Sequence, residues 1–141
     1  MFEEDEKVNK IFNLIITQGI DSENEYKIFT ERLYSKPDFL WTESFARDYA
    51  PFGEQFFSKV DIIVLLSGLY NDNKELFDTL IKKSEEFDIP LLLVRPYGME
   101  IVPEELEEKV KSVVGWNANC IIDDIKSIIM GDYDFDDDFD I

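Results

Sequence analysis

The sequence contains no histidine, which removes His-based triads, His general bases and the usual zinc ligand sets from consideration. Cysteine occurs once, as Cys120 in "ANCIIDDI", so no internal disulfide can form and the chain fits a reducing compartment. A lone cysteine in such an apolar setting is expected to be a small buried core residue. Basic residues are scarce: 14 Lys and Arg stand against 32 Asp and Glu, a net charge of −18. A surface of that sign repels phosphate backbones, which argues against direct nucleic-acid binding. No window approaches the ~18 apolar residues of a membrane span, and the acidic start "MFEEDEKVNK" has no apolar segment of the signal-peptide kind. The expectation is a soluble, cytoplasmic protein with no membrane partner.

What is present suits one domain. At 141 residues, 45% hydrophobic and 14% aromatic, the chain can bury one good-sized core but not two. The expected organisation is an acidic segment over 1–9, a domain over 10–130 and an acidic, disordered tail over 131–141. The tail "GDYDFDDDFDI" carries six Asp in its last ten residues, interleaved with Tyr133, Phe135 and Phe139. Self-repelling sequence of this kind does not fold alone. It suits either solubilisation or docking to a basic, apolar groove on a partner, and it lacks the Gly and terminal Glu of a calcium-binding EF-hand loop.

Along the domain, apolar runs alternate with helical patterns. "IFNLIIT" (Ile11 to Thr17), "VDIIVLLSG" (Val60 to Gly68) and "IPLLLVRP" (Ile89 to Pro96) read as buried strands, apolar throughout and therefore covered on both faces. "DSENEYKIFTERLYS" reads as a helix with Tyr26, Ile28, Phe29 and Leu33 on one face. "DFLWTESF" is a short edge strand, and "ARDYAPFGEQFF" an irregular excursion. "NDNKELFDTLIKKSEEF" is a helix capped by Asp72 or Asn73, with Leu76, Phe77, Leu80, Ile81, Ser84 and Phe87 on its buried stripe. "VPEELEEKVKSV" starts a further helix at Pro103, "VVGWN" supplies a last short strand, and "CIIDDIKSIIM" a closing amphipathic helix that Asn117 caps.

About five such alternations imply an α/β fold, a mostly parallel, flavodoxin-like doubly wound sheet of four to five strands in the order 2-1-3-4-5. Ligands of such sheets sit outside the carboxyl ends of the strands, at the switch point in strand order between the first and third. That rule gathers Thr17, Gln18 and Gly19, Ser67, Gly68 and Tyr70, and Arg95 along one rim.

Four motifs in order carry a resemblance: "ENEY" in the first helix, "SGLY" after the third strand, "VRPYGME.VP" after the fourth and "GWN" before the last helix, with "FLWTESFARDY" between the first two. Together they resemble the bacterial TIR-like (Toll/interleukin-receptor-like) domain family, related to the TIR proteins of the Thoeris antiphage system. The resemblance covers roughly Lys10 to Met130. It implies a flavodoxin-like domain in signal transduction or antiviral defence that, in active members, cleaves NAD at the nicotinamide glycosidic bond and in some cyclises the remainder. Such chemistry passes through an oxocarbenium-like centre, which a carboxylate beside the ribose hydroxyls can stabilise.

In active TIR domains that carboxylate is a Glu four residues after a Trp, in the helix following the third strand. Counting from "SGLY" without gaps places the Trp at Leu76 and the Glu at Leu80. Leucine can neither stabilise a cation nor move a proton. Glu75 and Asp78 lie about 140° and 160° round the helix from position 80 and are expected to face solvent. Asp72 stands at the helix start and is either a helix cap or a relocated catalytic carboxylate. The family's first-strand Ser-His pair is here Thr17-Gln18. Trp41 and Tyr70 are either stacking partners for an adenine or nicotinamide ring or caps of the core. Arg95 meets either a nucleotide phosphate or one of the many carboxylates. Trp116 is expected to be structural.

Three functions follow. The first is a TIR-like domain without the usual catalytic Glu that binds a nucleotide, NAD or an ADP-ribose-type derivative, or associates with another TIR surface or a defence partner. The second is an active NAD hydrolase or cyclase with its carboxylate elsewhere, Asp72 being the candidate. The third is an acidic mimic of nucleic acid. No metal and no obligatory cofactor is expected.

Overall fold

A computed structural model describes residues 10–17, 23–66, 74–94, 108–115 and 117–130. The segments 1–9 and 131–141 lie outside the described residues, as does most of the helix expected from Pro103.

Among the described residues nine elements follow one another: β1 (Phe12–Ile16), α1 (Glu23–Tyr34), β2 (Trp41–Glu43), α2 (Glu54–Phe57), β3 (Ile62–Leu66), α3 (Lys74–Phe87), β4 (Leu91–Val94), β5 (Ser112–Val114) and α4 (Ala118–Met130). The five strands form one sheet in the order β2-β1-β3-β4-β5, and every pairing is parallel. The fold is therefore a flavodoxin-like doubly wound α/β sheet, in the expected strand order.

Strands apolar at every position can form only where both faces are covered, and two separate cores do the covering. On one face Phe12, Leu14 and Ile16 of β1, Ile62, Val64 and Leu66 of β3 and Leu92 and Val94 of β4 pack against Phe29 and Leu33 of α1 and Ile121 and Ile125 of α4. On the other face Ile15, Ile63, Leu65, Leu91 and Leu93 pack against Phe77, Leu80 and Ile81 of α3, with Tyr49 and Phe57 from the segment before β3. Period-two alternation along each strand thus divides one hydrophobic run between two cores. The register pairs Leu14 with Ile62 and Ile63 with Leu91.

Helix ends are set by local chemistry. α3 stops at Asp88, whose φ of 55° lies in the left-handed region that Asp tolerates better than most residues. The Ile89 amide then donates to the Ser84 carbonyl (2.9 Å), closing the turn, and the Ser84 hydroxyl donates to the Ile89 carbonyl (2.5 Å). α4 begins where the Asn117 side chain accepts from the Cys120 amide at 3.1 Å, the expected cap.

Three expectations need correction. Cys120 is exposed, not buried. The apolar stripe of α4 runs through Ile121, Ile122 and Ile125, and position 120 falls about 140° round the helix from its centre. Ser112, read as the end of a helix, opens β5, because its backbone and that of Val113 continue the ladder beside Leu92 and Leu93. The excursion before β3 contains a one-turn helix, α2, in which the Gly53 carbonyl accepts from both Phe56 and Phe57 amides. Among the described residues no helix is long and apolar enough to cross a membrane.

Candidate functional site

In the order β2-β1-β3 the chain leaves β1 for one side of the sheet and β3 for the other, so the carboxyl ends of β1 and β3 border the switch-point crevice. Thr17, the first residue after β1, is 1% exposed. Its amide donates to the Val64 carbonyl (3.1 Å), and its hydroxyl accepts from the Leu66 amide (2.8 Å). The threonine side chain thus satisfies a backbone donor where β1 no longer supplies a carbonyl. It ties the two strands together at the point where they part, and a buried amide left without that acceptor would cost about 1–3 kcal/mol.

Leu80, the position that resemblance aligns with a catalytic Glu, is 0% exposed and belongs to the core formed with Ile63 and Leu65. Glu75 and Asp78 on the same helix are exposed, as their angular positions require, and Asp78 pairs with Lys74 at 3.2 Å. Described α3 therefore carries no carboxylate on its buried stripe.

Trp41 opens β2 opposite Phe12, so its Cα lies two residues before the carboxyl end of its own strand. Its indole is half-buried against the first core and faces the Tyr34 ring at 5.2 Å. Along the strand direction this is about 17 Å short of Thr17, taking ~3.3 Å per residue. The structure brings Thr17 and β3 together and leaves Trp41 away from them. Gln18, Gly19, Ser67, Gly68, Tyr70, Asp72 and Arg95 lie outside the described residues, as does Trp116.

Sequence reasoning passed over one half-buried carboxylate, which the register places level with Leu14 and Ile62, short of this end. Glu43, the last residue of β2, is half-buried, and its Oε1 accepts from the Tyr26 hydroxyl of α1 at 2.7 Å. Burial pushes the Tyr26 phenol up, and the hydrogen bond and negative charge of Glu43 push it further. The phenol stays protonated and keeps donating.

The amino end of the sheet is different. Asp61 accepts from the Asn13 amide (2.8 Å) and lies 3.7 Å from Lys10, while the Ser112 hydroxyl donates to Asp124 (2.5 Å). An open groove of about 560 Å³ sits at this end too, with Asp88, Ile89, Lys109, Lys111 and Ile128 in its lining. Its volume is ample, but it lies at the strand starts, remote from the switch point, and its lining charges are mixed. Among the described residues no group of three carboxylate or thiol side chains is arranged to hold a metal.

Fold and strand order define an α/β domain of the flavodoxin-like, doubly wound class with its crevice between β1 and β3. No family model matches the chain, and no curated protein matches it.

Proposed function

We propose that the protein is a TIR-like signalling or defence domain that binds a nucleotide of the NAD or ADP-ribose type at the carboxyl end of its sheet without turning it over efficiently. The observation that carries the reading is the β2-β1-β3 order with Thr17 at the divergence of β1 and β3, the position at which doubly wound sheets receive nucleotides. Gln18 and Gly19, which continue the chain from Thr17, and Ser67, Gly68 and Tyr70, which follow β3, are the binding segments in this reading; Arg95, directly after β4, supplies a guanidinium for a phosphate. Weak turnover follows from Leu80. A side chain with no exposure and no charge offers nothing to an oxocarbenium-like centre, and the loss of a main electrostatic contact is of order 10²-fold or more.

A protein partner is the second reading, and a specific surface favours it. Ile11, Tyr34 and Leu40 are exposed beside edge strand β2, an apolar strip suited to self-association or to a defence partner.

Thermal melts of the full chain with NAD and with ADP-ribose test the proposal. A ligand held only by the folded state at a hundred times its Kd stabilises by about 2.7 kcal/mol, an easily read rise in Tm. Incubation with NAD should leave it essentially intact. Robust NAD consumption would return the catalytic role to Asp72 or another carboxylate, and no rise with either ligand would leave the acidic-mimic or protein-binding reading.

A further inference from the structure

In the ladder between β1 and β2 the Phe12 amide donates to the Leu40 carbonyl and the Ser44 amide to the Leu14 carbonyl, so the even-numbered residues turn their backbone groups toward β1. Alternation along the strand then turns the N–H and C=O of Trp41 outward, and β2 ends the sheet, with no described strand beyond it. Edge strands are often guarded by a lysine or a proline, and Trp41–Glu43 carries neither. The faces beside this edge are thinly covered. The crossover from β2 to β3 holds only the four residues of α2, against 12, 14 and 13 in α1, α3 and α4. Ile11 and Leu40 stand one residue before Phe12 and Trp41, and so on the face opposite α1, where they are 59% and 38% exposed. On the α1 side Tyr34 is 72% exposed, with its ring 5.2 Å from the Trp41 indole.

We infer that β2 is the edge through which the protein associates with a second copy of itself, the two β2 strands pairing antiparallel about a two-fold axis at Trp41. This deepens the protein-partner reading above, on which it rests, and stands apart from nucleotide binding. The edge is self-complementary: the Trp41 N–H of each copy donates to the Trp41 carbonyl of the other, the symmetric arrangement of a two-fold dimer. The axis sets indole opposite indole on the α1 side, each flanked by Tyr34, and Leu40 opposite Thr42 of the other copy on the far side. Tryptophan and tyrosine are the residues that most often anchor interfaces. Charge favours a second copy at this edge as well. The chain sets 32 acidic residues against 14 basic, yet between Glu31 and Asp48 four acidic residues (Glu31, Asp38, Glu43, Asp48) meet three basic ones (Arg32, Lys36, Arg47). A copy with the same charge of −18 can come close only where the surface is nearly neutral, as it is along this stretch.

The test is sedimentation of the full chain over a series of concentrations, joined to hydrogen exchange at the Trp41 amide. Dimers should form as the concentration rises. The Trp41 amide, open to solvent in a single copy, should then exchange about tenfold or more slowly than in the dilute sample. Tyr34→Lys and Leu40→Lys, both at exposed positions, should each weaken the dimer by about tenfold or more while the dilute chain stays folded. A chain that is monomeric at every concentration overturns the inference and leaves the nucleotide reading untouched. A dimer whose Trp41 amide exchanges at one rate throughout forms through another surface; self-association then stands and edge pairing is overturned, even if neither variant folds. A dimer that both substitutions leave as tight as wild type overturns edge pairing as well.

Discussion

The two ends of the sheet use the same kinds of side chain for different ends. At the amino end the polar groups are closed upon each other: Asp61 with Asn13 and Lys10, Ser112 with Asp124. At the carboxyl end Thr17 holds two strands at the point where they separate. A polar contact that bridges neighbouring strands at their starts stabilises; one at the divergence of β1 and β3 also shapes the border of the crevice. A groove of about 560 Å³ lies at the amino end, away from the switch point.

The sharpest way to break this comparison is at position 80. Leu80→Ala should cost about 2–5 kcal/mol, the usual range for a fully buried leucine, and Leu80→Glu should cost more because it adds a buried charge. Urea unfolding measures both. A Leu80→Glu variant as stable as wild type would mean that position 80 opens into the crevice and could carry catalysis after all.

Next in size is Thr17. Thr17→Val preserves shape but leaves the Leu66 amide without its acceptor, and should lower stability by about 1–3 kcal/mol, whereas Thr17→Ser should retain most of it. Hydrogen exchange sharpens the result: the Leu66 amide should exchange faster in Thr17→Val, while amides of Ile63 and Leu92 within the ladder remain among the slowest in the chain.

A comparable effect comes from alkali. Burial raises the Tyr49 phenol from its ordinary 10.0 to about 12, with a hydrogen bond to the Ala46 backbone opposing the rise and the Glu43 charge adding to it. The folded protein keeps a proton that the unfolded chain releases near pH 10. Stability from this source is therefore complete below pH 10 and falls as the pH climbs toward 12. The loss is on the order of 2 kcal/mol, and Tyr49→Phe should flatten the alkaline fall in unfolding midpoint.

The smallest effect belongs to the amino end. Asp61→Asn keeps an oxygen for the Asn13 amide and gives up only a loose pair with Lys10, so its cost should stay near 0.5 kcal/mol and its effect on nucleotide binding should be nil. If Asp61→Asn weakened nucleotide binding, the division between the ends would fail.

How far these features could be read from the residues depends on how local their causes are. Runs such as "IIVLL" can hardly be anything but strands covered on both sides, and the parallel order followed from their alternation with helices. The cap at Asn117 was legible because a cap is a contact over three residues. Cys120 was misread because burial depends on the phase of a helix against its core, and apolar neighbours on both sides conceal that phase. The one-turn helix Glu54–Phe57 is held by aromatic packing from a distance, Phe57 stacking on Phe87 at 5.1 Å, and no local pattern announces it. Glu43 was missed for a similar reason: its partner Tyr26 is 17 residues away, and nothing in "WTE" says that a tyrosine will cover it.

The most direct test of the central claim is to map where ADP-ribose binds on the isotopically labelled full chain by amide chemical-shift changes. The account predicts changes at Thr17 and Leu66, at the carboxyl ends of β1 and β3, with Ser84, Asp88 and Lys111 at the opposite end unmoved. Changes centred on the groove between Asp88 and Lys111, or none anywhere at saturating ligand, would contradict it.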